Sequence, residues 1–465
     1  MGPVTYERYH IPIKTVQGRA TPVPKFVITR ADNCMNCGKC EKACIFGVHK
    51  RSEQDPRKMA DPLSHLCKNC FRCVSDCPQR AITMSPGAEY RALGRGIWTP
   101  LRISTIWNEA ETGKIPVFGA GYRGMFAGPN YDGMWTDMSE IVRPTRDGIH
   151  GRESISTCVD LGSKPLSLEF DPSGGLVTKM SPIVELPVPM VMDITRMRGT
   201  SENTLMGFAA AAELLDTLLF LPHGSITYQL LEGAREHLVP CYPDTMDLRN
   251  IKPSVGTRMI EVGMGPAWAE TLDVVRETLP DKVLAVRVRA GHGVEAKVVE
   301  LAEAGVDVVH LDYDRHGREE GSDARHMMDS LRAVHRALVS RGIRDKVTVV
   351  AGGGIAAAEH VPKTVICGAD VVALEKALIV ALECRNCITC SRGSCPIDLQ
   401  AAEPEWIQGR VMNLVGAWRD QMLEMMGAMG IREVRRLRGE VGRAIFFDDL
   451  ERDMLSALKG GAKDG

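Results

Sequence analysis

Lys346-Val-Thr-Val-Val-Ala-Gly-Gly-Gly-Ile355, followed by Asp370-Val-Val-Ala-Leu-Glu-Lys376, is the stretch whose reading decides the fold. Each half is a short apolar run that stops at residues unsuited to continuing a strand, the pattern of a strand buried on both faces. Equivalent runs stand upstream at Val188 to Asp193, Thr217 to Leu221, Leu238 to Tyr242, Arg258 to Val262, Val283 to Val288 and Val306 to Leu311. Amphipathic stretches lie between them, among them Ser201 to Leu215, Pro266 to Leu279, Glu295 to Ala304 and Asp323 to Arg341. Parallel strands need such crossovers and eight of them close a sheet, so the expected fold is α/β with a (β/α)8 TIM barrel over 187–383. A doubly wound open sheet is the runner-up.

Fifteen cysteines punctuate the chain, and most fall into three tight groups. Cys34, Cys37, Cys40 and Cys44 are spaced C-x2-C-x2-C-x3-C, as are Cys67, Cys70, Cys73 and Cys77. Paired runs of this kind are the bacterial ferredoxin signature, in which the fourth cysteine of each run crosses to the other cluster. The third group, Cys384, Cys387, Cys390 and Cys395, directly follows the last expected strand. Structural zinc needs four tetrahedral ligands and has no use for a third cysteine at the next x2 step. The opening Met1-Gly2-Pro3 has no export signal, which argues against a disulfide framework. Two [4Fe-4S] clusters and a third cluster follow, while Cys158, Cys241 and Cys367 read as isolated packing thiols.

The glycines Gly352, Gly353 and Gly354 come after the seventh strand, and Glu375-Lys376 heads the helix after the eighth. Barrels hold phosphates with these two loops, because unshielded backbone N–H groups there point at the anion. A bland glycine turn is the alternative. Beside iron-sulfur clusters, such a phosphate site points to FMN, which takes two electrons and exchanges them singly. A second glycine set, Gly119-Ala-Gly-Tyr-Arg-Gly124, satisfies G-x-G-x-x-G, but Met125-Phe-Ala-Gly-Pro129 behind it does not open the helix a dinucleotide fingerprint requires.

The net charge of -2 gives no electrostatic case for nucleic acid, and no apolar run is long enough for a membrane span, so a soluble cytoplasmic protein is expected. The chain divides into an extended N-terminal arm at 1–30, a ferredoxin-like module at 31–84, a Gly-rich connecting segment at 85–186, the barrel, a third cluster loop at 384–400 and C-terminal helices at 401–465. Those helices are expected from Trp406 to Met429 and from Arg432 to Leu458.

With Arg143-Pro-Thr-Arg-Asp-Gly-Ile-His-Gly-Arg152, the barrel, the third cysteine group and Met429-Gly-Ile-Arg-Glu-Val-Arg-Arg-Leu-Arg-Gly439, the chain resembles the archaeal-type glutamate synthases, FMN-binding synthase domains with a two-cluster ferredoxin insert. In that family a [3Fe-4S] cluster sits on C-x5-C-x4-C after strand eight, which Cys384, Cys390 and Cys395 reproduce. The additional Cys387 opens a [4Fe-4S] alternative, since a cubane takes one cysteine per iron. The resemblance implies electrons passing from the clusters to FMN and on to an imine or ketoacid, first of all 2-oxoglutarate with ammonia. It also implies an electron donor or partner redox subunit and, since no glutaminase cysteine opens this chain, a separate glutaminase subunit. An electron-transfer subunit of a larger redox complex is the alternative.

Departures from the family cluster where substrate would bind. Asp193-Ile-Thr-Arg-Met-Arg-Gly199, Pro222-His-Gly-Ser-Ile226 and Asp312-Tyr-Asp-Arg-His-Gly317 replace its strand-one, strand-two and strand-six loops, and Arg287 aligns with its strand-five lysine. Arg287 is expected to stabilise negative charge on the flavin, with a barrel ion pair as the alternative. Asp193 and Arg196 would bind or protonate substrate, or simply form a loop ion pair. His316, with His292, Asp312 and Asp314, lies at strand ends where barrel active sites are built. Arg143, Arg146 and His150 would pack near the flavin, and Lys376 beside its phosphate.

Overall fold

The computed structural model describes residues 9–116, 128–137, 154–178, 180–197, 200–244, 256–266, 268–387, 395 and 397–460. They form two compact units, one of 17–104 with 383–397 and the other of the rest. The Gly119–Gly124 set, the run from Arg143 to Arg152 and Cys390 lie outside the described residues.

In the smaller unit, strands β1 (Phe26–Arg30) and β2 (Ile82–Pro86) pair antiparallel with Arg30 opposite Ile82. Short helices at Lys39–Ala43 and Arg72–Ser75 continue from the cysteine turns. Ile28, Cys40, Val48, Met59, Cys73 and Ile82 make its core, so the cysteines themselves supply part of the packing of a unit too small for a large apolar interior. β1 falls inside the stretch expected as an extended arm. Its five residues gain a ladder only from a strand far away in the chain, which local periodicity does not reveal.

The larger unit begins its strands with β3 (Met134–Thr136), β4 (Val159–Gly162) and β5 (Ile183–Leu186). Eight strands follow: β6 (Met190–Asp193), β7 (Leu219–Pro222), β8 (Leu238–Tyr242), β9 (Met259–Gly263), β10 (Val283–Arg289), β11 (Val308–Asp312), β12 (Thr348–Gly352) and β13 (Val371–Leu374). They are parallel and closed, each pairing with the next and β13 returning to β6. Each falls on a window expected from the apolar runs, and β7, β9, β10, β11 and β12 run one residue past it. The strands are almost wholly buried because helices such as Glu202–Leu214, capped by Ser201, and Met327–Ser340 cover the outside. The antiparallel pair β4 and β5 covers the N-terminal end, where the Thr348 hydroxyl donates to the Gly162 carbonyl at 2.9 Å.

Two expectations about the flanks change. The connecting segment is not wholly irregular, since it contains the helix Pro100–Thr112 as well as β3 to β5. The helix expected over Trp406 to Met429 runs Pro404–Met429, but Arg432 to Leu458 is not one helix. It passes through two turns and β14 (Ala444–Phe446), which pairs with β3, before the helix Phe447–Gly460. Gly439 with φ 74° interrupts helical backbone there. Among the described residues no helix is long and apolar enough to cross a membrane.

Candidate functional site

Parallel register in the barrel sets Arg287 beside His310 on one neighbour and Glu261 one layer below on the other. All three side chains turn inward, where the His310 ring meets Phe220 of β7 edge-on with centroids 5.3 Å apart. Glu261 is the hub: one oxygen accepts from Arg287 Nε at 2.7 Å and the other lies 2.6 Å from His310 Nδ1. Burial alone would push this carboxyl up, but the Arg287 and His310 charges outweigh it and hold it at about 2. An ionised carboxylate only accepts hydrogen bonds, so His310 must carry its proton on Nδ1. Nε2, fully shielded from solvent, then faces the interior with no partner among the described residues.

Asp193 completes this layer. Its Oδ2 lies 2.7 Å from Arg287 Nη2, while its Oδ1 accepts from the Thr195 backbone at 2.9 Å and from the Thr195 hydroxyl at 2.6 Å. The 2.7 Å pair lacks the alignment of a hydrogen bond, leaving Arg287 Nη2 a buried donor without an acceptor. Burial works against the guanidinium, yet Asp193 and Glu261 hold its pKa well above the ordinary value. Cys241 stands on the same side, its thiol pushed far up by burial and then by Glu261. It is therefore a neighbour of the network and not an isolated packing thiol; Cys367 is buried against Met134 as expected.

Nearer the mouth, Arg196 bonds Asp312, Glu375 Oε1 at 2.9 Å and the Tyr313 carbonyl at 3.3 Å. Asp193 and Arg196 thus do not pair with each other; each joins a different layer. Asp312 is raised by burial against the pull of Arg196. Glu375 is pushed up to about 7 by burial and by Asp193, with Arg196 opposing. This makes it a carboxyl that exchanges a proton near neutrality. Between its ordinary 4.5 and about 7 the folded state binds the proton more tightly, so stability falls as pH rises through that window and the penalty is complete above it. Glu375→Gln removes the slope. The variant is expected to match the parent at pH 4 and to exceed it by roughly 3 kcal/mol above pH 7.5, read by urea denaturation across pH.

The remaining expected site residues lie elsewhere. His316 sits on the loop after β11, its backbone donating to Asp314 Oδ1 at 2.7 Å and its ring accepting from Arg315 Nε at 3.2 Å. Asp314 thereby caps a turn, and His292 is exposed. Neither histidine enters the network, whereas Asp312 does. Lys376 begins the short helix Lys376–Ala381, with Glu375 at its cap. Sequence reasoning missed Glu261 and His310. The signal was present: each is a charged or polar residue in the middle of an otherwise buried apolar strand, which is costly unless it is paired for a purpose.

Gly353 and Gly354 adopt φ 100° and 68°. The N–H groups of Gly353, Gly354 and Ile355 are buried and bond to nothing among the described residues. Successive free amides in left-handed backbone form an anion-binding concavity. These residues therefore fit the phosphate end of a flavin nucleotide, and the partly exposed Arg287 guanidinium fits the anionic edge of its ring.

In the smaller unit a cavity is lined by Cys34, Cys37, Cys40 and Cys77, three thiols of the first run with the fourth of the second. Cys67 and Cys73 are in turn raised by burial and then by charges that include the thiols Cys70 and Cys44. Among the described residues no three such side chains converge closely enough for a single metal ion. All three cysteine groups share C-x-N-C, with Asn36, Asn69 and Asn386 at φ 54°, 60° and 50°. The Asn69 and Asn386 amides each donate to the preceding Cys67 or Cys384 sulfur at 3.4 Å. Cys387 therefore occupies in the third group the place of Cys37 and Cys70.

A closed parallel barrel with a buried charge network, on a chain carrying a ferredoxin-like cysteine module, fits an oxidoreductase, and the sequence is similar to glutamate synthases. The conserved region of glutamate synthase matches residues 247–432. The chain is 26% identical to an archaeal glutamate synthase [NADPH] of Archaeoglobus fulgidus, over 94% of this chain and 97% of that one. It is 27% identical to an archaeal-type glutamate synthase [NADPH] of Dehalococcoides mccartyi, over 89% and 94% respectively. A ferredoxin of Pyrobaculum islandicum is 29% identical over 72 residues, 16% of this chain and 64% of that one.

Proposed function

We propose that the protein is an FMN-dependent iron-sulfur oxidoreductase that reduces an imine or ketoacid at the barrel mouth, with 2-oxoglutarate plus ammonia as the first substrate pair. The carrying observation is the largely buried Arg287, bracketed by Glu261 and Asp193 inside the barrel. Gly352, Gly353, Gly354 and Lys376 would hold the FMN phosphate, and Arg287 would hold the ring's negative charge. Bound there, FMN supplies exchange between single electrons and hydride. Glu261 fixes Arg287 and the His310 tautomer. Glu375 delivers the proton that reduction of a carbonyl or imine requires, and Arg196 orients the substrate's carboxylate. His316 remains on the rim.

Cys34, Cys37, Cys40 and Cys77 would carry one [4Fe-4S] cluster, and Cys67, Cys70, Cys73 and Cys44 the other. The shared C-x-N-C turn supports a four-iron third cluster on Cys384, Cys387, Cys390 and Cys395. Cys77→Ser and Cys34→Ser are expected to alter the same cluster signal in low-temperature EPR, and Cys44→Ser that of the second run. Different signals for Cys77 and Cys34 would sink the crossed arrangement.

The function is tested by anaerobic purification with iron, sulfide and flavin analysis, then reduction with dithionite or NADPH. Reoxidation of the reduced protein by 2-oxoglutarate with ammonia, and not by either alone, is the expected result. If no small acceptor reoxidises it but a co-purifying partner does, the electron-transfer subunit reading replaces this one.

A further inference from the structure

The smaller unit contains a half-buried cation with no anion to answer it among the described residues. Arg30 closes β1, and its Nη1 donates to the Met59 carbonyl at 3.2 Å and the Ala60 carbonyl at 3.0 Å. Its Nε and Nη2 are shielded from solvent and bond to nothing, and no carboxylate pairs with it among the described residues. The His49 ring is buried more deeply than Arg30, with both nitrogens unpartnered among the described residues. Its pKa is lowered by burial and then by the Arg30 charge. Shielded, unpaired guanidinium nitrogens are unfavourable unless something nearby supplies negative charge.

The geometry of its contacts says what does. Met59, held by Arg30 through its carbonyl, lines the cavity of Cys34, Cys37, Cys40 and Cys77, and so does Ile82, the residue opposite Arg30 in the ladder. Beyond β1, the Ala31 amide donates to the Ala81 carbonyl, and the Cys34 amide three residues on donates to the Ala31 carbonyl. Arg30 thus braces two residues of the wall around the first thiol set, Met59 through its carbonyl and Ile82 as its ladder partner.

We propose that Arg30 is a redox-tuning residue for the cluster carried by Cys34, Cys37, Cys40 and Cys77, favouring its reduced form. A cluster gains one negative charge on accepting an electron, and a half-buried cation nearby stabilises the more negative state. The inference rests on the reading of these cysteines as cluster ligands. It would make this cluster the better electron acceptor of the pair and so give electron flow a direction within the module.

The test uses the full-length protein, purified anaerobically, in an EPR-monitored potentiometric titration with dithionite. Arg30→Met, with unchanged iron and sulfide, is expected to lower the potential of one cluster and leave the others in place, and Arg30→Lys to restore part of the shift. Should Arg30→Met lose iron, Arg30→Gln, which keeps a donor without the charge, is titrated instead. A fully loaded, charge-free variant with parental potentials overturns the proposal. Absence of iron in the parent itself would instead remove the cluster reading on which it stands.

Discussion

Arg287→Met is expected to cost about 3–5 kcal/mol of stability at neutral pH and to empty the barrel of flavin. Glu261 is 1% exposed and titrates at about 2 only because Arg287 and His310 face it. Removing the guanidinium leaves two buried acids, Glu261 and Asp193, with His310 and the Thr195 donors alone. The sign of the pH dependence follows. In the parent, the depressed carboxyl contributes stability above its ordinary 4.5 that is lost as pH falls toward about 2. In the variant the buried carboxylate is uncompensated wherever it would be charged, so the deficit is largest above pH 5 and shrinks on acidification. Urea denaturation from pH 4 to pH 8 measures it. Adding Glu261→Gln to Arg287→Met should recover part of the loss, because the two residues share one interaction. A deficit independent of pH would assign Arg287 a packing role only.

Gly354→Ala is expected to be the most damaging single-methyl change at the mouth, on the order of 3 kcal/mol. An added Cβ would lie 2.3 Å from the Gly317 nitrogen and 2.5 Å from its Cα, and these are backbone atoms that cannot rotate away. The left-handed φ of 68° adds its own penalty for a side chain. Gly293 supplies the control: its φ is 74°, but a Cβ there would meet nothing within 4 Å. Gly293→Ala should therefore show only the conformational cost, roughly 1 kcal/mol. The excess at Gly354 reports the close approach of the 313–317 loop to the glycine turn. Since the same turn presents the free amides, Gly354→Ala should also lower flavin content in the purified protein, which Gly293→Ala should not.

Much of this architecture was legible in the residue order because its signals are local. A strand buried on both faces must be a short apolar run, and cysteines that wrap a cluster must follow at fixed short offsets, so both survive being read one window at a time. The five-residue β1 and the interruption at Gly439 were not legible in that way, since one depends on a distant ladder and the other on a turn inside a charged run. Candidate site residues divided by the same criterion. Arg287, Asp193, Arg196 and Glu375 stood at strand ends where a barrel mouth is expected, and all four enter the network. His316 stood there too, but a turn capped by Asp314 keeps it on the rim loop.

By itself, then, the sequence determined that eight buried strands would close into a barrel, that its mouth would carry charge, and that cysteines would gather in three sets. Only the tertiary structure decided which groups meet. It left Arg30 half-buried with no counter-anion among the described residues and joined Glu261, Arg287, His310 and Asp193 into one network. Hydrophobic periodicity and short spacing act along the chain, whereas an ion pair across a barrel depends on the stagger with which separate strands close, and no single strand encodes that.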